Sequence, residues 1–141
     1  MTDSFNLQRF IDAQNGGYPQ VCEELRRGRK TGHWMWFIFP QLEGLGHSFM
    51  ARKYAISGLP EAGAYLEHPV LGARLRECTE LVIAVEGRSV HEIFGDPDDM
   101  KFRSSMTLFA AASEDPGVFD VTLQKYFGGK RDVLTIDRLR G

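Results

Sequence analysis

The placement of proline is the feature that most constrains the fold of this chain. Pro19, Pro60, Pro69, Pro97 and Pro116 each stand at the start of a segment in which apolar residues recur at helical spacing. Proline is favoured at the first helical position, because the backbone N–H that it lacks would have no partner there. Glycines follow several of these segments, where helices commonly end. The pattern predicts a series of short helices.

The apolar spacing and the capping signals give approximate bounds for these helices. The predicted helical segments are residues 7–14 with Asn6 as N-cap, 19–29, 48–56, a short one from 60, 69–87, 89–95, 97–112 with Asp96 as N-cap, 116–127 and 132–139 with Asp132 as N-cap. Ser89 and Glu92 match a capping box, in which the side chain of each residue accepts the backbone N–H of the other.

The segment 31–41 is the richest in aromatic residues. It holds Trp34, Trp36, Phe37 and Phe39, and each ring can bury about 150–250 Å². Periodicity does not distinguish a buried strand from a buried helix over 34–39. One interpretation makes the segment the core of the protein. The other makes it the wall of a ligand pocket, with polar groups from His33 and Gln41 at the rims and tryptophan faces that stack a ring.

These observations favour an all-α fold. We predict one globular domain over residues 1–141, with about seven to nine short helices packed around the aromatic segment. Hydrophobic residues make up 43% of the chain and charged residues 26%, which is ordinary globular usage. The two cysteines, Cys22 and Cys78, have no metal-ligand spacing, so we predict buried thiols and no metal site.

Charge and hydropathy exclude several classes of partner. The chain has 17 Lys and Arg against 19 Asp and Glu, a formal net charge of −2, whereas proteins that bind nucleic acid through phosphate contacts usually carry a basic excess. Nucleic acid is therefore a disfavoured partner. The longest apolar run, 34–39, is too short to span a bilayer, and residues 1–10 have no signal-peptide pattern. We expect a cytoplasmic protein without a membrane partner.

The segment 94–107 combines acidic, basic and hydroxyl side chains. Asp98 and Asp99 fall at the start of a predicted helix, and Lys101, Ser104 and Ser105 follow within two turns. One interpretation is a solvated helix start, where carboxylates interact favourably with the helix dipole. The other is a polar site that holds a substrate and performs acid–base chemistry.

Basic residues precede the aromatic segment. The predicted helix 19–29 ends at Arg29, and Lys30 follows it directly. Both residues are close in sequence to His33. Cations at a helix C-terminus suit the dipole and need no further role. In the alternative interpretation, Arg29 and Lys30 form the phosphate-binding rim of a pocket.

The chain also carries a family signature that extends over nearly its whole length. Its most specific string is HWMWFIFPQ over 33–41, and the other matching stretches are LQRF at 7–10, GLG at 44–46, YAI at 54–56, IFG at 93–95, PDD at 97–99, SSMTLF at 104–109 and KYFGG at 125–129. In these stretches the sequence resembles a bacterial family known as domain of unknown function 1810, whose members are sometimes mislabelled calpastatin. The resemblance implies an all-α fold in which 34–39 is helical. It transfers no catalytic residue, because no activity is established for the family.

A more limited likeness suggests a ligand class. In size, in helical content and in the string Met100-Lys101-Phe102, the chain is similar to the NADAR enzymes, small helical N-glycosidases that act on ADP-ribose conjugates. The likeness implies an ADP-ribose-like ligand.

Two functional hypotheses follow from these features. The first is a protein that binds or processes a nucleotide- or ADP-ribose-like small molecule in a pocket between segment 31–46 and helix 94–107. In it, Trp34 or Trp36 stacks the ligand, cations hold its phosphate, and Asp98 or Asp99 acts as a base. The second is a non-catalytic protein interaction module with an aromatic core. They differ in whether Trp36, His33 and Asp98 border one cavity. The sequence identifies no cofactor and no oligomeric state.

Overall fold

The computed structural model describes residues 3–141, so residues 1 and 2 of the predicted domain lie outside it. Apart from one isolated bridge between Leu42 and Ile56, its regular elements in that range are helices, which confirms the all-α prediction. They are α1 (Gln8–Asn15), α2 (Tyr18–Arg26), α3 (Met35–Ile38), α4 (Phe49–Lys53), α5 (Leu59–Glu67), α6 (Leu71–Ile83), α7 (Val90–Phe94), α8 (Asp98–Ala112), α9 (Gly117–Phe127) and α10 (Val133–Arg140). No helix among residues 3–141 has the length and hydropathy of a bilayer span.

Several predicted helix ends are present as expected. The capping box of α7 is complete, since the Glu92 N–H donates to Ser89 Oγ at 3.1 Å and the Ser89 N–H donates to Glu92 Oε1 at 2.8 Å. Asp132 caps α10 by accepting the N–H of Thr135 at 3.1 Å. Gly128 ends α9 in the left-handed conformation, with φ at 61°, which glycine adopts without steric cost.

Other predicted ends are displaced. Asn6 does not cap α1 because its own φ is 53°. The Asp3 carboxylate instead accepts the N–H groups of Leu7 and Gln8, at 2.7 and 2.9 Å. At α8, Asp96 makes no cap, since Pro97 occupies the N-cap position and the helix begins at Asp98.

The segment 34–39, which periodicity left open, contains a single helical turn. Trp34 stands at the N-cap of α3 and Phe39 leaves the helix with φ −123° and ψ 73°. Pro40 follows Phe39, and the residue before a proline is sterically disfavoured in helical conformation. The family resemblance implied a helical segment, and this is confirmed for Met35–Ile38.

Helix α8 lies at the centre of the core and packs against α5, α7, α9 and α10. Its residue Phe102 is fully buried. The Phe102 ring centroid lies 4.6 Å from that of Phe94, in a stacked pair, and 4.9 Å from that of Phe39, edge to face. Phe39 ends the aromatic segment, so this packing brings that segment against the N-terminal half of α8.

The connection after α3 is fixed by backbone hydrogen bonds. The Ile56 N–H donates to Gln41 O at 2.9 Å and the Glu43 N–H donates to Ile56 O at 2.8 Å. From the other side, Arg138 of α10 donates to Glu43 O at 2.8 Å. Gly44 has φ 94°, and a Cβ there would collide with the Arg138 guanidinium. Residues 41–44, which we call the strip, are thus held between Ile56 and α10.

We expect Phe102→Ala to lower the free energy of unfolding by about 3–5 kcal/mol, because it removes a ring from a closely packed site and leaves a cavity. The control is Val121→Ala on α9, where the side chain is 51% exposed. That change should cost no more than about 0.5 kcal/mol. Denaturant unfolding of both variants measures the difference, and equal losses would contradict a core centred on α8.

Candidate functional site

A buried carboxylate shapes the loop that precedes the aromatic segment. Glu24 of α2 is 2% exposed. Its Oε1 accepts three hydrogen bonds, from the N–H groups of Thr31 at 2.7 Å and Gly32 at 2.8 Å and from Trp34 Nε1 at 2.9 Å. Its Oε2 accepts one, from Gln20 Nε2 at 3.1 Å. We call residues 30–34 the Glu24 loop, because these bonds determine its path.

The same bonds keep Glu24 ionised. Burial alone raises the pKa of a carboxyl group, because it disfavours the charged form. In Glu24 that effect is outweighed by hydrogen bonds from the Gly32 and Thr31 N–H groups and from the side chains of Trp34 and Gln20, so its pKa falls from 4.5 to about 2. Glu24 is therefore an anion across the physiological pH range.

Lys30 joins the Glu24 loop to the start of α8. Its Nζ lies 2.8 Å from Asp98 Oδ2, and the Lys30 side chain is 8% exposed. The same Nζ donates to Gly32 O at 2.6 Å and sits 5.1 Å from the centre of the Trp34 ring. Because water has little access to this ion pair, salt screens it less than a surface pair.

Asp98 then connects to the tryptophan of α3. Its Oδ1 lies 3.7 Å from Lys101 Nζ, and Lys101 Nζ lies 5.5 Å from the centre of the Trp36 ring. A continuous series of polar contacts therefore runs from the Glu24 loop through Asp98 to Trp36. It orients Lys101 next to the strip that follows α3.

A groove lies where this strip meets α8 and α10. We call it the Lys101 groove. It has a volume of about 230 Å³ and is lined by Gln41, Leu45, Pro97, Met100, Lys101, Ser104, Asp132 and Leu134. Its apolar rim is open to solvent, since Met100 is 47% exposed and Leu134 is 65% exposed.

A much smaller cavity adjoins the groove. It measures about 10 Å³ and is lined by Met35, Trp36, Phe39, Gln41, Ala51, Tyr54 and Lys101, so it shares Gln41 and Lys101 with the groove. That volume matches a single water-sized group. Trp36 Nε1 is buried and has no hydrogen-bond partner among residues 3–141. An indole nitrogen can only donate, so this N–H would be satisfied only by a hydrogen-bond acceptor.

A further cavity lies on the α1 and α2 side of the Glu24 loop. We call it the Glu24 pocket. Its volume is about 350 Å³ and its lining is Ala13, Gly16, Gly17, Gln20, Val21, Glu24, Gly32, His33, Trp34 and Phe37. The lining is mainly apolar or glycine, with a carboxylate, an amide and an imidazole as its polar groups.

The structure divides the predicted site residues between these cavities. Gln41, Lys101 and Ser104 line the Lys101 groove. Trp36 lines the adjoining small cavity, while His33 and Trp34 line the Glu24 pocket, and Asp98 lines none of the three. Trp36, His33 and Asp98 therefore do not share one of these cavities, so the first hypothesis fails in the form that required all three at one pocket. The Lys101 groove brings together only Gln41, Lys101 and Ser104 of the predicted set.

Some expected roles conflict with the observed contacts. Trp34 is 5% exposed, its N–H is bound by Glu24, and Lys30 covers its ring. It therefore presents no free face on which a ligand ring can stack. Lys30 is already paired with Asp98, and Arg29 is exposed and lines none of the three cavities.

Two more predicted residues lie away from the groove. Asp99 Oδ2 is 3.1 Å from His91 Nδ1 on α7, and Asp99 Oδ1 accepts the N–H of Met100 at 2.8 Å. Ser105 is fully buried, and its Oγ has no partner among residues 3–141. Both residues are outside the lining of the groove.

The hydroxyl of Ser104 already takes part in hydrogen bonds within the protein. Ser104 Oγ lies 2.9 Å from Thr135 Oγ1, which donates to Asp132 Oδ2 at 2.6 Å. The Asp132 N–H donates to Thr107 Oγ1 at 2.9 Å. These bonds tie the start of α10 to α8 and form one wall of the groove. Within residues 3–141, the structure contains no cluster of three or more His, Cys, Asp or Glu side chains that could hold a metal ion.

Sequence reasoning missed Glu24 and the apolar rim of the groove. A signal for Glu24 was present, because it follows Val21 by three residues and precedes Leu25 on the apolar face of α2. A carboxylate on such a face is buried and needs donors. No comparable signal existed for Leu45, Met100 and Leu134, which meet only through the tertiary fold.

The structure is a small all-α domain with a groove that Lys101 and Asp132 line and a separate pocket that Glu24 lines. The family model described as Protein of unknown function (DUF1810) matches residues 4–139, so the chain belongs to this family. The crystal structure of the conserved hypothetical protein Rv1873 from Mycobacterium tuberculosis is similar over 99% of both chains, at 57% identity and a TM-score of 0.97. A comparison with curated proteins returns no match.

We expect Glu24→Gln to lower the free energy of unfolding at neutral pH by about 2–3 kcal/mol, because bonds to a charged acceptor are stronger than bonds to an amide. The native protein should also lose stability as the pH falls from 4.5 to about 2, since the unfolded carboxyl is protonated first. The variant should lack this contribution. Urea unfolding at several pH values checks both effects, and parallel pH profiles would contradict them.

Proposed function

We propose that this protein binds a small molecule that carries an oxyanion, such as the phosphate of a nucleotide- or ADP-ribose-like compound, in the Lys101 groove. The observation that carries the proposal is the buried Trp36 N–H, which has no hydrogen-bond partner among residues 3–141 and belongs to a ring whose centre lies 5.5 Å from Lys101 Nζ. A buried donor without an acceptor costs about 1–3 kcal/mol. A ligand oxygen that accepts this N–H would recover that free energy.

Lys101 supports the proposal through its position and charge. Its side chain is 28% exposed and lines both the groove and the small cavity. Asp98 lies 3.7 Å from the Lys101 ammonium and only 2.8 Å from that of Lys30, so Lys30 is its main partner. Lys101 therefore has donors available for a phosphate oxygen, and Gln41 adds an amide to the same lining.

The size of the groove limits how such a ligand lies. Enclosed sites for small molecules measure about 300–1,000 Å³, whereas this groove holds about 230 Å³. The oxyanion would lie beside Lys101, with one oxygen directed into the adjoining small cavity that Lys101 and Trp36 both line. The remainder of the ligand would lie over the exposed side chains of Met100 and Leu134, which offer apolar contact instead of the tryptophan stacking that the sequence suggested.

We assign binding and no reaction to the groove. Asp98, one predicted base, is paired with two lysines and does not line the groove. Asp132 does line it, but its Oδ2 accepts the Thr135 N–H and hydroxyl. A general base needs a free lone pair within reach of the substrate proton. Asp98 is outside the groove lining, and Asp132 is engaged through Oδ2 in capping α10.

A thermal-shift screen tests this proposal with AMP, NAD, ADP-ribose and pyrophosphate against uncharged adenosine and ribose. A ligand at about 100 times its Kd adds roughly 2.7 kcal/mol of stability, which corresponds to several degrees in Tm. We expect shifts from the phosphate-bearing compounds alone. Lys101→Met should weaken binding about 10- to 100-fold and Trp36→Phe about 2- to 10-fold, since a charged bond contributes more than a neutral one.

Lys130→Met serves as the matched control, because Lys130 is exposed and does not line the groove. It should bind like the native protein. Equal weakening by both lysine variants would indicate nonspecific attraction and contradict the proposal. If no compound in the screen shifts Tm, the non-catalytic interaction module becomes the better hypothesis, with exposed Met100, Val133 and Leu134 as its contact surface.

A further inference from the structure

We propose that the Glu24 pocket is a second binding site, which takes the protonated amine or guanidinium group of an organic cation on Oε2 of Glu24. This site is separate from the Lys101 groove and has the opposite charge preference. Its volume of about 350 Å³ lies within the range of small-molecule pockets.

The two carboxylate oxygens of Glu24 differ in the number of hydrogen bonds that they accept. Oε1 already accepts three hydrogen bonds from the Glu24 loop, whereas Oε2 accepts one, from Gln20. A carboxylate oxygen accommodates about two donors. Both Glu24 and Gln20 line the pocket, and Oε2, the oxygen with spare capacity, is the one that Gln20 contacts.

Glu24 also lacks a compensating cation. None of the ion pairs within 4 Å among residues 3–141 includes it, and the nearby Lys30 is committed to Asp98. A buried anion that is satisfied only by neutral donors attracts a cation strongly, because the surrounding protein screens charge poorly. The pocket therefore favours a positively charged group over a neutral or negative one.

The remaining walls suit the apolar part of such a ligand. Phe37 contributes aromatic surface to the lining, and such surface attracts organic cations through the ring face. Gly16 and Gly17 leave the rim open, because a Cβ built on either would meet no atom within 4 Å. An amine with a short alkyl or aryl body fits these walls, whether it is a free metabolite or a Lys or Arg side chain of another protein.

The test uses ¹⁵N NMR of the two indole N–H groups, assigned with Trp34→Phe and Trp36→Phe. The probes are butylamine and butylguanidine, with butanol and butyrate as the neutral and anionic controls. We expect the two cations to shift the Trp34 signal in a saturable way, while the Trp36 signal and the two controls show no saturable change. An unmoved Trp34 signal, or equal shifts with butanol and butyrate, would overturn the proposal.

A variant that leaves Glu24 in place locates the site. Gly16 has an ordinary helical backbone, with φ −77° and ψ −12°, so Gly16→Leu should fold and fill the rim of the pocket. It should weaken binding of butylguanidine at least about tenfold, by displacing the ligand's alkyl part. Gly63→Leu is the matched control, because its Cβ also meets no atom within 4 Å and it lines a different cavity. Unchanged binding to the Gly16 variant would place the site elsewhere and refute the proposal.

Two pentapeptides distinguish the sources of the cation. A glycine peptide with a central arginine is compared with the same peptide carrying glutamine, both with blocked ends. Tighter binding of the arginine peptide than of butylguanidine would identify a protein side chain as the ligand. Tighter binding of butylguanidine would identify a free small molecule. Both of these outcomes support a cation site. The site is excluded if the arginine and glutamine peptides bind equally and the Trp34 indole signal does not shift in any titration.

Discussion

The hydrogen bonds to the buried carboxylate of Glu24 determine how the segment that follows α2 is arranged. Three donors from the Glu24 loop converge on one oxygen, and this convergence places Trp34 inside the protein and Lys30 against Asp98. A carboxylate is costly to bury unless its lone pairs are satisfied, so the loop can follow only a path that brings its N–H groups to Glu24. The start of α3, and hence the position of Trp36, depends on that path.

This arrangement gives the two tryptophans different roles. Trp34 donates its N–H to Glu24 and carries Lys30 over its ring, so it belongs to the framework. The buried N–H of Trp36 has no hydrogen-bond partner among residues 3–141, and Lys101 Nζ lies 5.5 Å from the centre of the Trp36 ring. The same carboxylate leaves one oxygen for the pocket on the α1 and α2 side. In our proposals the Lys101 groove takes an anion and the Glu24 pocket takes a cation. The Lys30–Asp98 ion pair links the Glu24 loop to α8, which lines the groove.

The fold was largely predictable from sequence, and the sites were not. Proline, glycine and capping signals are local, so they located the helices well, and only short-range details such as Asn6 at the start of α1 were wrong. Which cavity each predicted site residue lines depends on the direction of its side chain within one helical turn. There, Trp34 and Trp36 contact different neighbours. Periodicity cannot supply that information for a four-residue helix. Glu24 was detectable in principle from its place on the apolar face of α2, but its partners lie in a loop with no regular pattern.

The most direct test of this account is the titration of Glu24 itself, followed by ¹³C NMR of its side-chain carboxyl in the intact protein. The account predicts a midpoint near the pKa of about 2, well below the ordinary value of 4.5, because the loop donors stabilise the ionised form. The Trp34 indole signal should change over the same pH interval as the Glu24 carboxyl. A titration midpoint of Glu24 at or above pH 4.5 would contradict the central role of this carboxylate. So would a Trp34 indole signal that does not change as Glu24 titrates.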